Sequence, residues 1–447
     1  MASDISGPES LWPDPQTVIE IRAGEESALI LSLLGPCDQW LDDYSSQFDP
    51  FVWETPVERY ARRKAFAEAS IYLYVAAEHG NAGVAPQLRR LVLDTVAKPE
   101  YRDLVLRYPR HFLLFSSPIL YAASQGELPQ DLKEAVERVL SGRTLWSAER
   151  LPHRMMDIWN FCTAYGIPCQ LGESAEFLEL GCIGQPLDPI EANLRDAYAL
   201  THHLMFYYNF GVRSPGFLGN EISENLAETL LALTIRFLAE GNCDIVLELI
   251  MVGVFHKQFA PGMARLVLGW LNAKVQEHGN VPGPEADEAH RIDLDDSRFQ
   301  AWYADYHTTL VAASTLRTLQ RDWGDMHLRL PANLVGPSDW DHLQLQRVGE
   351  SLNRIHRYEL PLGVSQLHEI IQVDPPTHLR PAIAAASEFI ERQRTADGQF
   401  GFFPDEKAAY ESENSYGEGF HESIAAPLTE ICEAFCEAAH QRQLQNG

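Results

Sequence analysis

Apolar residues recur at helical spacing along almost the whole chain, and this periodicity limits the fold more than any other feature. "VERYARRKAFAEASIYLYVAAEHG" carries an apolar face at i, i+3, i+4 spacing and ends at Gly80, a helix stop signal. "PEYRDLVLRYPRHFLLFSSPILYAASQG" predicts two helices broken near Pro109. "DPIEANLRDAYALTHHLMFYYNFG", "SENLAETLLALTIRFLAEG", "CDIVLELIMVGVFHK" and "PGMARLVLGWLNAKVQEHG" follow the same pattern. Another helix is predicted from about Asp296 to Asp325, and a further one from about Ser338 to His356. No stretch alternates apolar and polar residues as a half-buried strand does. The expectation is an all-α chain of roughly fifteen or more helices with short Pro/Gly punctuation. Such helices stack as an open solenoid or close into a ring. No motif recurs at a period of about 34 or 40 residues, so an α/α toroid or a related array of paired helices is expected.

Length and punctuation give the domain organisation. The 447 residues exceed an ordinary single domain. Residues 1–14 read as a flexible N-terminus, 15–278 as the first part of a helical domain, 279–292 as a Pro/Gly-rich charged loop, and 293–447 as a second part closing the same toroid. The net charge of −28, from 63 acidic and 35 basic residues, repels nucleic acid and anionic membrane and sets both aside as partners. No run of about eighteen apolar residues is present to span a bilayer. Seven scattered cysteines without a C-x-x-C pair, and an N-terminus without a basic-then-apolar leader, point to the cytoplasm. The oligomeric state is not legible.

The densest acidic cluster is "DLDD", Asp293, Asp295 and Asp296, where a helix begins. One aspartate there is explained as a helix cap; three are not. The pattern resembles the D-x-D-D motif of class II terpene cyclases. That resemblance implies Asp295 as a general acid held protonated by its supporters Asp293 and Asp296. "QRTADGQFGFF", residues 393–403, resembles the Q-x-x-D-G-x-W motif of squalene–hopene cyclases and their relatives, with Phe400 in place of the tryptophan. There the resemblance implies that Gln393 pairs with backbone at a helix end and that the aromatic packs beneath a turn.

A second candidate constellation lies in "DAYALTHHLMFYYNFG". Helical spacing puts Asp196, His203 and Tyr207 on one face and turns His202 elsewhere. The helix is apolar on nearly every side, so it is expected to be buried, and its polar groups then need partners. They are either catalytic or a hydrogen-bonded core network. On the helix after the acidic cluster, Tyr303 and His307 share a face. "RYPRHFLLFSSP" brings Arg107, Arg110 and His111 together, suited to an anionic substrate group or simply to an exposed helix end. No H-E-x-x-H or comparable ligand spacing, no phosphate-binding loop and no nucleophile elbow occurs, so neither a metal nor a cofactor is expected.

"RYPRHFLLF", "DAYALTHHLMFYYNFG" and "YHTTLVAAS" together resemble a helical bacterial family, mostly actinobacterial, often encoded among natural-product biosynthesis genes. The resemblance spans about residues 100 to 320. It centres on Asp196, Thr201, His202 and His307, and it implies an acidic residue where this chain has Asn209. Three functional readings follow. The first is a secondary-metabolism cyclase using acid/base chemistry on a small hydrophobic substrate, with Asp293, Asp295, Asp296, Asp196, His202 and His307 as catalytic candidates. Arg107, Arg110, Tyr207 and Tyr303 would then bind substrate. The second is a non-catalytic helical scaffold for a protein partner. The third is a metal-dependent tailoring enzyme. The first predicts that Asp196, His202 and His307 face one cavity.

Overall fold

The computed structural model describes residues 25–444, apart from 186, 214–217, 219, 257–260, 284–296, 330–341, 358, 373–378, 395–399 and 401–421. The chain is all-α. The described residues form eighteen α-helices and two short 3-10 turns; their one β-type contact is an isolated antiparallel bridge between Arg394 and Phe400.

In order, the helices are α1 (Glu26–Asp43), α2 (Pro56–Glu78), α3 (Pro86–Val96), α4 (Pro99–Arg107), α5 (Leu113–Ser124), α6 (Gln130–Ser141), α7 (Arg143–Trp146), α8 (Pro152–Tyr165), α9 (Ser174–Leu180) and α10 (Leu194–Tyr207). They continue with α11 (Asn220–Glu240), α12 (Cys243–Phe255), α13 (Pro261–His278), α14 (Ser297–Arg329), α15 (His342–His356), α16 (Leu360–Gln372), α17 (Arg380–Arg392) and α18 (Glu422–Leu444). Local chemistry sets many boundaries. Proline stands in the first turn of α2, α3, α4 and α8, where its missing N–H and fixed φ cost nothing. Thr55 caps α2 by accepting the Glu58 N–H. The break expected near Pro109 is a 3-10 turn, Pro109–His111, between α4 and α5.

Packing returns the early helices onto the later ones. α14 lies against α1, α2 and α12, while α10 packs on α8 and α12. Every residue of α12 is buried. Side chains lock this arrangement at a distance in sequence: Arg317 of α14 donates to Asp38 of α1 and to the Tyr72 hydroxyl of α2. Trp302 of α14 is fully buried and stacks on Tyr306, with Phe48 edge-on. The result fixes α2, α10, α12 and α14 around one space. Among the described residues no helix is long and apolar enough to cross a membrane.

Candidate metal centre in a helical cavity

A cavity of about 1000 Å³ opens between α2, α5, α8, α10, α12 and α14. Its volume is at the upper end for small-molecule sites. Its apolar lining includes Ile71, Leu114, Met205, Phe206, Met251 and Leu310. Its polar floor is built from four helices.

Helix α12 supplies the two most buried acids. Asp244 and Glu248 are one turn apart and share a face, and each is 2% exposed. A carboxylate taken this far from water needs compensating partners. Helix α10 provides hydroxyls: Tyr198 donates to Asp244 Oδ2, and Thr201 donates to Glu248 Oε2. His202, one turn beyond Tyr198, brings its Nε2 to 3.7 Å from Glu248 Oε1. Helix α14 contributes His307, whose Nε2 is 3.3 Å from Asp244 Oδ2 and whose Nδ1 is 3.2 Å from Glu68 Oε2 on α2. Lys64 sits one turn before Glu68, 3.7 Å from its other oxygen.

The electrostatics follow from this crowding. Burial alone would depress the His307 imidazole, but Asp244 and Glu68 outweigh it and push its pKa well above the usual histidine value. Burial would raise Glu68, yet Lys64 and His307 hold its carboxyl down to about 2. Asp244 is likewise lowered, against its burial, chiefly by His307. One ligand-type atom each from Asp244, Glu248 and His307 lies within 4.8 Å of the other two. The second oxygen of Asp244, Oδ1, is buried without a hydrogen-bond partner among the described residues. This donor set of imidazole and carboxylate, without thiolate, suits a divalent first-row transition metal. Glu68 stands where an outer-shell carboxylate orients a ligating histidine through its other nitrogen.

The cavity brings Asp196, His202 and His307 to one space. On α10, Tyr198, Ala199, His202, Met205 and Phe206 line it, and His202 does so together with Asp196 and His203, although helical spacing set it on a different face from them. Asp196 borders the cavity with its carboxylate engaged in a capping box, accepting the Asn193 N–H at 3.0 Å while the Asn193 side chain caps α10. His203 is fully buried and also borders the cavity, with both ring nitrogens lacking a partner among the described residues. Burial pushes its pKa down to about 4. Tyr207 packs on Trp159 and Tyr208 instead of lining the cavity, and Tyr303 stacks on Phe299 away from it. Arg110 and His111 line the mouth, whereas Arg107 ends α4 exposed and outside the lining. Asn209 adopts a left-handed φ of 46° and donates to the Tyr74 hydroxyl, which a carboxylate there could not do.

Asp293, Asp295 and Asp296 lie outside the described residues. So does most of the 393–403 stretch, which also has one residue more between Gln393 and Asp397 than the cyclase motif. Of its described part, Gln393 donates to the Phe389 carbonyl, and Phe400 is buried with Arg394 over its ring. Sequence reasoning missed Glu68, Asp244, Glu248 and Asp157. Asp157 lines the cavity, and burial raises its carboxyl to about 6 despite Arg154 and His202.

No curated protein and no solved structure matches the chain. A family described as a domain of unknown function, DUF6895, matches residues 38–316. That span is more than half of the chain and includes every residue of the acid–histidine cluster. The chain therefore belongs to the DUF6895 family.

Proposed function

We propose that this protein is a metal-dependent enzyme that transforms a small, largely apolar molecule. Asp244, Glu248 and His307 hold a divalent transition-metal ion, and His202 stands by as a further ligand. The observation that carries this reading is the convergence of those three side chains from two helices, with the buried Asp244 Oδ1 left without a partner among the described residues. Glu68, Tyr198 and Thr201 position the ligands through the contacts already described. Glu248, His202 and His307 reach the cavity lining, so the ion would be accessible to a bound molecule. It would supply a Lewis acid at the floor of an otherwise apolar space. Asp157, with its raised pKa, is available to carry a proton in the same cavity. The likeness to a family found among natural-product genes, together with the free thiols, supports a role in secondary metabolism inside a reducing compartment.

The test is elemental analysis of the purified full chain and of Asp244→Asn, Glu248→Gln and His307→Gln. The wild type should carry close to one transition-metal ion per chain, and each variant much less. Equal metal content in all four would remove the assignment.

A second reading has one specific observation behind it: both His307 nitrogens face carboxylates. A metal-free cluster with His307 as a clamped imidazolium would do proton-transfer chemistry instead. It predicts no metal affinity in any form of the protein.

A further inference from the structure

The cavity mouth combines two features that an acidic, well-packed protein has little reason to place together. The first is exposed apolar surface. Tyr60, Leu151 and Leu180 all line the cavity, yet they are 68%, 64% and 66% exposed. Large apolar side chains this exposed mark binding surfaces when they gather around one opening. The second is uncompensated positive charge. Arg110 and Arg195 line the same cavity and are exposed. Neither forms an ion pair among the described residues, although the chain carries 63 acidic side chains. Arg195 also sits in the first turn of α10, where a cation opposes the helix dipole. Arg110 lies close enough to Arg150 to lower its pKa by like-charge repulsion, second to burial. An anion bound at the mouth would offset the repulsion between Arg110 and Arg150 and would pair with Arg195 at the α10 N-terminus.

The geometry points to an amphiphilic substrate: an anionic head group, carboxylate or phosphate, held by Arg110 and Arg195 at the mouth, with an apolar body laid along Ile71, Leu114, Phe206 and Met251 toward the floor. Arginine provides paired N–H donors matched to either oxyanion. Ile71, Leu114, Phe206 and Met251 carry no polar side-chain group able to pair with a charge, so the part of the ligand laid on them is hydrocarbon-like. This assignment deepens the enzyme reading and rests on it for the word substrate, but the binding itself needs no metal.

The experiment is therefore done on metal-stripped full-length protein. Calorimetric titrations compare dodecanoate, dodecyl phosphate and dodecanol below their aggregation concentrations. Both anions should bind at least tenfold more tightly than the alcohol. Arg110→Gln with Arg195→Gln should remove that advantage while leaving dodecanol affinity within twofold. Single substitutions should each remove part of it. A preference for one anion over the other identifies the head group. Equal affinity for the alcohol and the anions overturns the proposal, as does an anion preference that survives the double substitution or the absence of binding by all three probes. Circular dichroism of each variant establishes that it is folded. Because metal is absent throughout, failure of the metal assignment leaves this result standing, and the reverse also holds.

Discussion

Replacing Thr201 by valine isolates one contact of the site. Thr201 is fully buried, and its hydroxyl donates to Glu248 Oε2, with the Tyr198 carbonyl 3.2 Å away as an alternative acceptor. Valine keeps the branched shape, so no cavity opens, and the two residues have similar helix propensity. What is lost is the hydrogen bond to a carboxylate that is itself 2% exposed. Bonds to charged groups are worth about 1.5–3 kcal/mol, and a buried acceptor left short of donors sits at the upper part of that range. The expected loss for metal-stripped protein is therefore ~2–3 kcal/mol. Thr234→Val is the internal reference. Thr234 is equally buried, but among the described residues its hydroxyl bonds only the Leu230 carbonyl of its own helix. That neutral local bond is worth about 0.5–1.5 kcal/mol. Urea unfolding followed by circular dichroism, with unchanged m-values, gives both numbers. A Thr201→Val cost no larger than that of Thr234→Val would refute the charged hydrogen bond at the base of the site.

Other substitutions separate the roles of neighbouring residues. Glu68→Gln keeps an acceptor near His307 Nδ1 but removes the charge, and should weaken metal binding by about 10–100-fold in a chelator competition assay. Asp196→Ala should cost about 1 kcal/mol of stability through the lost capping box, with metal affinity unchanged by the same assay. Asp157 has a folded pKa of about 6 against an ordinary value of 3.8, so its contribution is fully present below pH 3.8 and is lost as pH rises through 6. Asp157→Asn should therefore stabilise the protein by roughly 1–3 kcal/mol at pH 7.5 and not at pH 3.5, as read from denaturant midpoints at the two pH values.

The helices were legible because their signals are local. Gly80 follows the end of α2, Pro109 separates α4 from α5, and the apolar spacing of "CDIVLELIMVGVF" makes α12. The site was legible only where residues with obvious chemistry stand together. His202 and His307 were singled out, but Glu68 and Lys64 look like an ordinary surface pair at i, i+4 spacing in a charged helix. Asp244 and Glu248 did leave a trace: two acids one turn apart in a helix with no other polar side chain must be buried and must find partners. No spacing rule could join them to His307, because the ligands lie on helices brought together by tertiary packing alone. Asp196 could have been read more closely. "NLRD" places an acid three residues after an asparagine at a helix start, which is the pattern of a capping box. Arg107 and Arg110 were indistinguishable in sequence; the 3-10 turn between α4 and α5 carries only Arg110 to the cavity.

The central claim is that Asp244, Glu248 and His307 bind a metal ion, and calorimetric titration of chelator-stripped full-length protein with Zn²⁺ measures it most directly. The account predicts one site per chain in the wild type and loss of at least a hundredfold in affinity in Glu248→Gln, whose amide preserves the shape of the buried side chain. Absence of binding by the wild type, or binding that Glu248→Gln leaves intact, would contradict it.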